Sequence, residues 1–233
     1  MPKFSTNYVT EINLNSYYIN VKNIKGVYYM TRKELKTRAK QQLKGNWWTA
    51  IGVILLIAVI TGCLSFLSVR CDESIWAPTL LCIVAFLITA PLGLGQSIFF
   101  LKLAKNKDGK CSDVFLGYKN FLKVIGVSIL VEIIICIGFI LLIIPGIILS
   151  IMYSQAYYIL AENPNIGIVK CLKESRIMMR GQKWNYFVLM LSFILWGILT
   201  TITCGIAGLY VIPYYEATFT NLYLDINNKT EVA

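Results

Sequence analysis

The chain has 233 residues, of which 57% are hydrophobic and 15% charged, whereas a soluble domain is nearer half apolar and a quarter charged. Its 22 Lys and Arg against 12 Asp and Glu give a formal charge of +10, and it contains no histidine. This composition excludes an ordinary soluble domain and removes the commonest general base and metal ligand. The positive charge points to basic loops facing anionic lipid; no nucleic-acid partner is expected, because no basic segment carries a recognition motif.

Residues 1–29 are rich in Asn, Tyr and Ser and lack the apolar core of a signal peptide. They read as a disordered or spurious N-terminal extension. A single membrane domain is expected over 30–226, with a C-terminal tail over 227–233. Lys25-Gly26-Val27 can be encoded by a ribosome-binding sequence just upstream of Met30, which places the expected natural start there. Thr31-Arg32-Lys33-Glu34 then forms a capping box, in which Thr31 caps a helix and Glu34 bonds back.

From Arg32 to Lys44 six cations accompany Leu35, Ala39 and Leu43 at helical spacing, the pattern of a short helix on a membrane surface. Trp47 and Trp48 follow at the depth where indoles settle. A first span is predicted over 47–69, a polar loop over 70–78 and a second span over 79–103, with Pro91, Gly93 and Gly95 as a bend. A second basic segment, 102–123, holds a short helix capped by Ser112, with Phe115, Tyr118 and Leu122 on one face.

The apolar stretch 124–161 is far too long for one crossing of about 20 residues and is basic at both ends. It is expected to double back at Pro145-Gly146. After Glu162-Asn163-Pro164-Asn165, residues 168–182 form the clearest amphipathic helix, with Ile168, Cys171, Leu172, Ser175, Met178 and Met179 as its apolar stripe. A fifth span over 184–204, a turn at 205–208 and a sixth span to about 225 complete the chain. Tyr210, Tyr214, Tyr215 and Tyr223 are its expected interface residues.

The fold class is therefore all-α: a polytopic membrane bundle of six transmembrane helices in three hairpins, each preceded by a short amphipathic surface helix. Gly45, Gly117 and Gly181, about 72 and 64 residues apart, suggest threefold repetition of one unit. Of the 22 Lys and Arg only Arg70 falls in a segment assigned outside. Both termini are accordingly expected on the cytoplasmic side of the cell membrane.

Polar groups inside spans are the site candidates, since buried polarity in lipid is expensive. Glu132 and Glu216, at similar depth from one face, are expected to share a cavity, with Gln96 and Gln155 as neutral companions. The alternative is that all four bond across helices as packing contacts. Arg176, Arg180 and Lys183 are candidate contacts for an anionic headgroup, with Glu174 and Arg176 as a solvated pair beside them. Of the seven cysteines, Cys63, Cys82, Cys136 and Cys204 lie in apolar runs and Cys71 is expected outside. Without a CxxC or Cys cluster, neither a metal site nor a disulfide framework is supported, and no cofactor is expected.

Several motifs in order resemble the 975 family of bacterial domains of unknown function. They include Thr31-Arg32-Lys33-Glu34-Leu35-Lys36, Gly45-Asn46-Trp47, Pro91-Leu92-Gly93, Ile143-Ile144-Pro145-Gly146-Ile147-Ile148 and Tyr157-Tyr158-Ile159-Leu160-Ala161-Glu162-Asn163-Pro164. Glu174-Ser175-Arg176, Lys183-Trp184 and Pro213-Tyr214 continue the series. The resemblance implies an uncharacterised multi-pass protein of the Gram-positive cell membrane and supplies no catalytic residues. The expected function is membrane-organising, or binding of lipid, a membrane partner or a second copy, without catalysis. A small transporter or export accessory using the intramembrane Glu residues is the alternative, and a lipid-modifying enzyme a more distant one.

Overall fold

The computed structural model describes residues 30–70 and 76–230, and every regular element among them is a helix. The expectations for residues 1–29 and for Cys71 fall outside the described residues.

Helix α1 (Arg32–Leu43) opens with the expected capping box. The Thr31 hydroxyl accepts from the Glu34 amide at 3.3 Å, and the Glu34 carboxylate accepts from the Thr31 amide at 2.7 Å. Gly45, at φ +90°, then turns the chain into α2 (Trp47–Arg70). Gly181, at φ +80°, does the same between α7 (Ile168–Met178) and α8 (Lys183–Leu191). Left-handed φ is costly for a side chain with a Cβ, so both turns call for glycine. Gly117 does not repeat this geometry.

Helix α3 (Trp76–Ala104) runs unbroken through Pro91. The next element is the expected short helix, but Ser112 does not cap it. Cys111–Asn120 is a 3-10 helix, Ser112 lies inside it, and the Asp113 carboxylate accepts from the Lys110 amide at 2.9 Å. With three residues per turn, Val114 and Gly117 eclipse on one side and press into α3. Phe115, Tyr118 and Leu122 face outward instead, at 51%, 36% and 82% exposure. Contact with α3 is backbone to backbone: a Cβ on Gly117 would lie 1.9 Å from the Pro91 carbonyl, and one on Gly95 1.7 Å from that of Val114.

The central stretch doubles back, but not at Pro145-Gly146. Helices α4 (Phe121–Leu141) and α5 (Ile143–Tyr153) are joined by a single extended residue, Leu142, at φ −166° and ψ 154°. Pro145 sits in the first turn of α5, where no amide donor is needed. Gly146 gives close approach: a Cβ on Gly138 would stand 3.0 Å from its Cα. Helix α6 (Ala156–Glu162) continues the return after a turn at Ser154 and Gln155. A similar turn at Ser192 and Phe193 divides the fifth predicted span into α8 and α9 (Ile194–Ile202). Helix α10 (Gly208–Thr230) ends the described chain.

Among the described residues, five segments are long and apolar enough to cross a membrane: Trp47–Leu67, Thr79–Ala104, Cys111–Leu141, Ile143–Glu162 and Lys183–Ile202. Helix α10, the sixth expected span, is not among them, and its position explains why. It packs against α1, α2, α3, α7 and α9. Thr218, Thr220 and Asn221 are buried on it, and Asn221 exchanges hydrogen bonds with Gln42 of α1 at 2.6 and 3.0 Å. A helix clothed by protein can carry polar groups that a lipid-facing one cannot.

The basic helices lay their apolar faces on this bundle. Leu35, Ala39 and Leu43 of α1 are buried in the core that α10 shares. In α7 the Ser175 hydroxyl donates to the Met152 carbonyl at 3.0 Å, and the Cys171 thiol to that of Ala156 at 3.3 Å. Burial, and secondarily Glu174, pushes the Cys171 thiol up to about 12.

Candidate headgroup groove and intramembrane polar cluster

Arg176 stands on the outer side of α7, and Arg180 follows one turn later, in the loop that Gly181 reverses into α8. Residues four apart on a helical path share a face. With Lys183 and Trp184 they line a groove of about 430 Å³ floored by Met152 of α5, with no acidic residue among its walls. Ser175, bonded to the Met152 carbonyl, fixes α7 against that floor. The expected Glu174–Arg176 pair is not made: Glu174 pairs with Lys170 at 3.9 Å, one turn back along its own helix. Arg176 is thereby left to the groove. Arg180 and Trp184 are exposed, so the site opens to the surroundings beside an indole suited to an interface.

The intramembrane candidates divide. Glu216, half-buried on α10, accepts a long 3.5 Å contact from the Tyr158 hydroxyl of α6. Thr220 donates to Tyr158 at 3.4 Å and to the Glu216 carbonyl at 2.8 Å. Tyr186 of α8 packs edge-on against Phe219 of α10 beside this network, with ring centroids 4.8 Å apart. Gln155 is buried in the turn between α5 and α6. Its amide nitrogen donates to Ser154 at 2.8 Å, and its oxygen has no partner among the described residues. Gln96 is half-buried on α3.

Glu132 does not join this cluster. It is exposed on α4, which does not pack as a neighbour of α10. Helix α6 separates the two acids: Tyr157 bonds Ser128 of α4 at 2.8 Å, while Tyr158 turns to Glu216. The cavity expected to hold both carboxyls is therefore not formed. The interface tyrosines need a second correction. Tyr214 and Tyr223 are buried, and Tyr223 stacks on Tyr158 with ring centroids 5.2 Å apart.

Sequence reasoning missed Glu162, taken only as part of a helix break. It forms an ion pair with Lys105, accepts from the Tyr223 hydroxyl at 2.7 Å and from the Asn227 amide at 3.3 Å. One carboxylate thus ties the ends of α3 and α6 to α10. The signal available was an acid at the basic margin of an apolar run, a place where it meets cations.

The profile of one protein family, described as "Protein of unknown function (DUF975)", matches residues 30–145 and 133–230. No curated protein and no solved structure matches the chain.

Proposed function

The chain belongs to the family of proteins of unknown function DUF975, and we propose that it is a multi-pass protein of the bacterial cytoplasmic membrane that binds anionic lipid headgroups without catalysing a reaction. In this reading three apolar hairpins enter from the side that carries the basic helices, and both termini lie on that inner side. The single observation that carries the binding role is the convergence of Arg176, Arg180, Lys183 and Trp184 on one groove. Each cation near an anionic surface contributes about 1 kcal/mol, and guanidinium groups take phosphate oxygens in pairs. Three together supply about 3 kcal/mol, a preference on the order of a hundredfold over a neutral headgroup.

The test is thermal stabilisation of detergent-purified protein by added phosphatidylglycerol against phosphatidylcholine. The anionic lipid should raise the unfolding temperature selectively, Arg176→Gln with Arg180→Gln should abolish the difference, and Lys170→Gln should retain it. Equal stabilisation by both lipids would sink the proposal.

A second reading rests on the unpartnered oxygen of buried Gln155. Separately, Glu216, Tyr158 and Thr220 furnish oxygen donors for a proton or small cation within the bundle, as a transporter would need. Glu216→Gln should then abolish any ion-dependent flux in proteoliposomes and leave the lipid preference intact.

A further inference from the structure

Between Tyr186 and Trp196, α8 and α9 run antiparallel to α10. Tyr186 meets Phe219 with centroids 4.8 Å apart, Phe193 meets Tyr214 at 5.4 Å, and Trp196 meets Tyr210 at 6.4 Å. Along this hairpin lies α1, which carries Arg32, Lys33, Lys36, Arg38 and Lys40. Lys36 Nζ stands 4.4 Å from the Phe193 ring centroid and Lys40 Nζ 5.4 Å from that of Tyr214. Trp47, the first residue of α2, stacks on Tyr210 at 4.7 Å. The cationic helix therefore reaches to the middle of the hairpin.

Beyond Phe193 only 11 residues remain before the tip at Cys204 and Gly205. At 1.5 Å per residue they measure about 16 Å, roughly half of a 30 Å hydrocarbon core. Lysine stems reach a few ångströms towards the headgroups, which does not close that gap. A full crossing would draw the exposed cations of α1 into hydrocarbon, at a penalty of roughly a hundredfold each.

The tip itself is made for lipid. It has no charged residue from 194 to 212, and Leu195, Ile202 and Ile206 are 78%, 72% and 74% exposed. Its polar groups are satisfied internally: the Thr203 hydroxyl donates to the Leu199 carbonyl at 2.9 Å and accepts from the Ala207 amide at 3.0 Å, and the Gly205 amide donates to the Thr200 carbonyl at 2.8 Å. A turn emerging into water has no need of such closure.

We propose that residues 194–212 form a re-entrant hairpin that enters the leaflet on the basic side, sits among its acyl chains and returns without crossing. This rests on the membrane reading above, and native Cys204, at the tip, tests both. Cys204 is kept as the only thiol, and a variant keeping only Cys71 serves as the control for a segment between the first two spans. Each is reconstituted in vesicles of phosphatidylglycerol and phosphatidylcholine. Impermeant maleimide should label Cys204 from either face at least tenfold more slowly than it labels Cys71. A nitroxide placed on Cys204 in detergent before reconstitution should be relaxed by oxygen more than by a water-soluble nickel complex. Labelling from the face opposite the termini would overturn the re-entrant hairpin and leave the membrane reading standing. Labelling from the face of the termini would place the tip in water and remove the hairpin from the membrane altogether.

Discussion

Gly117 and Gly95 show how much can hang on a missing methyl group. Their helices touch through carbonyl oxygens closer than any Cβ tolerates, so Gly117→Ala must push the 3-10 helix off α3. Overpacking against side chains costs about 1–3 kcal/mol, and backbone yields less, so a loss at or above the top of that range is expected in thermal unfolding in detergent. Gly93→Ala is the control: nothing lies within 4 Å of its Cβ, and alanine is worth up to about 1 kcal/mol over glycine within a helix. Equal losses at the two positions would refute the packing account. Cys171 offers a second test at this scale. With its thiol pushed up to about 12, almost no thiolate exists at pH 8, and the thiolate is the reactive form. Iodoacetamide should leave Cys171 unmodified at pH 8 until the protein is unfolded; fast labelling of the folded protein would contradict its burial.

Among the elements, α10 joins the first helix of the described chain to the later ones. It meets α3 and α6 through Glu162, where Lys105, Tyr223 and Asn227 converge. Glu162→Ala removes the carboxylate that Lys105, Tyr223 and Asn227 share, and losing hydrogen bonds to a charged group costs about 1.5–3 kcal/mol. Tyr223→Phe removes the donor together with its need and should cost less, about 1 kcal/mol. If the two variants unfold at the same temperature, Glu162 is not the joint described. The basic helices tell a related story. Their stripes were legible from spacing alone, yet spacing cannot name what an apolar face rests on. In α7 it is Met152 and Ala156 of the same chain, which leaves Arg176 and Arg180 exposed on the outer side.

For the whole molecule the decisive measurement is sidedness. Reporter fusions after Asp108 and after Asn165 should indicate the same side, since the chain reverses at Leu142 between them. Opposite sides would mean that 121–162 crosses once and that the α4–α5 hairpin is wrong. Much of this architecture is local information. Apolar run length, the capping box at Thr31, the cationic margins and the reversal within 124–161 are one-dimensional properties, because lipid acts on each segment separately through its hydropathy and charge. The convergence of Arg176, Arg180 and Lys183 was legible for the same reason, as neighbours around one helical turn and its glycine. Which distant segments meet was decided only by tertiary packing. Similar depth suggested that Glu132 and Glu216 share a cavity, but depth fixes one coordinate of three, and α6 occupies the space between them. Tyr214 and Tyr223 read as interface residues because a tyrosine suits a headgroup region and a satisfied core equally well. Helix α10 could be polar only because the helices packed around it clothe it in protein, and that shielding exists in no stretch of sequence until the chain has folded around it.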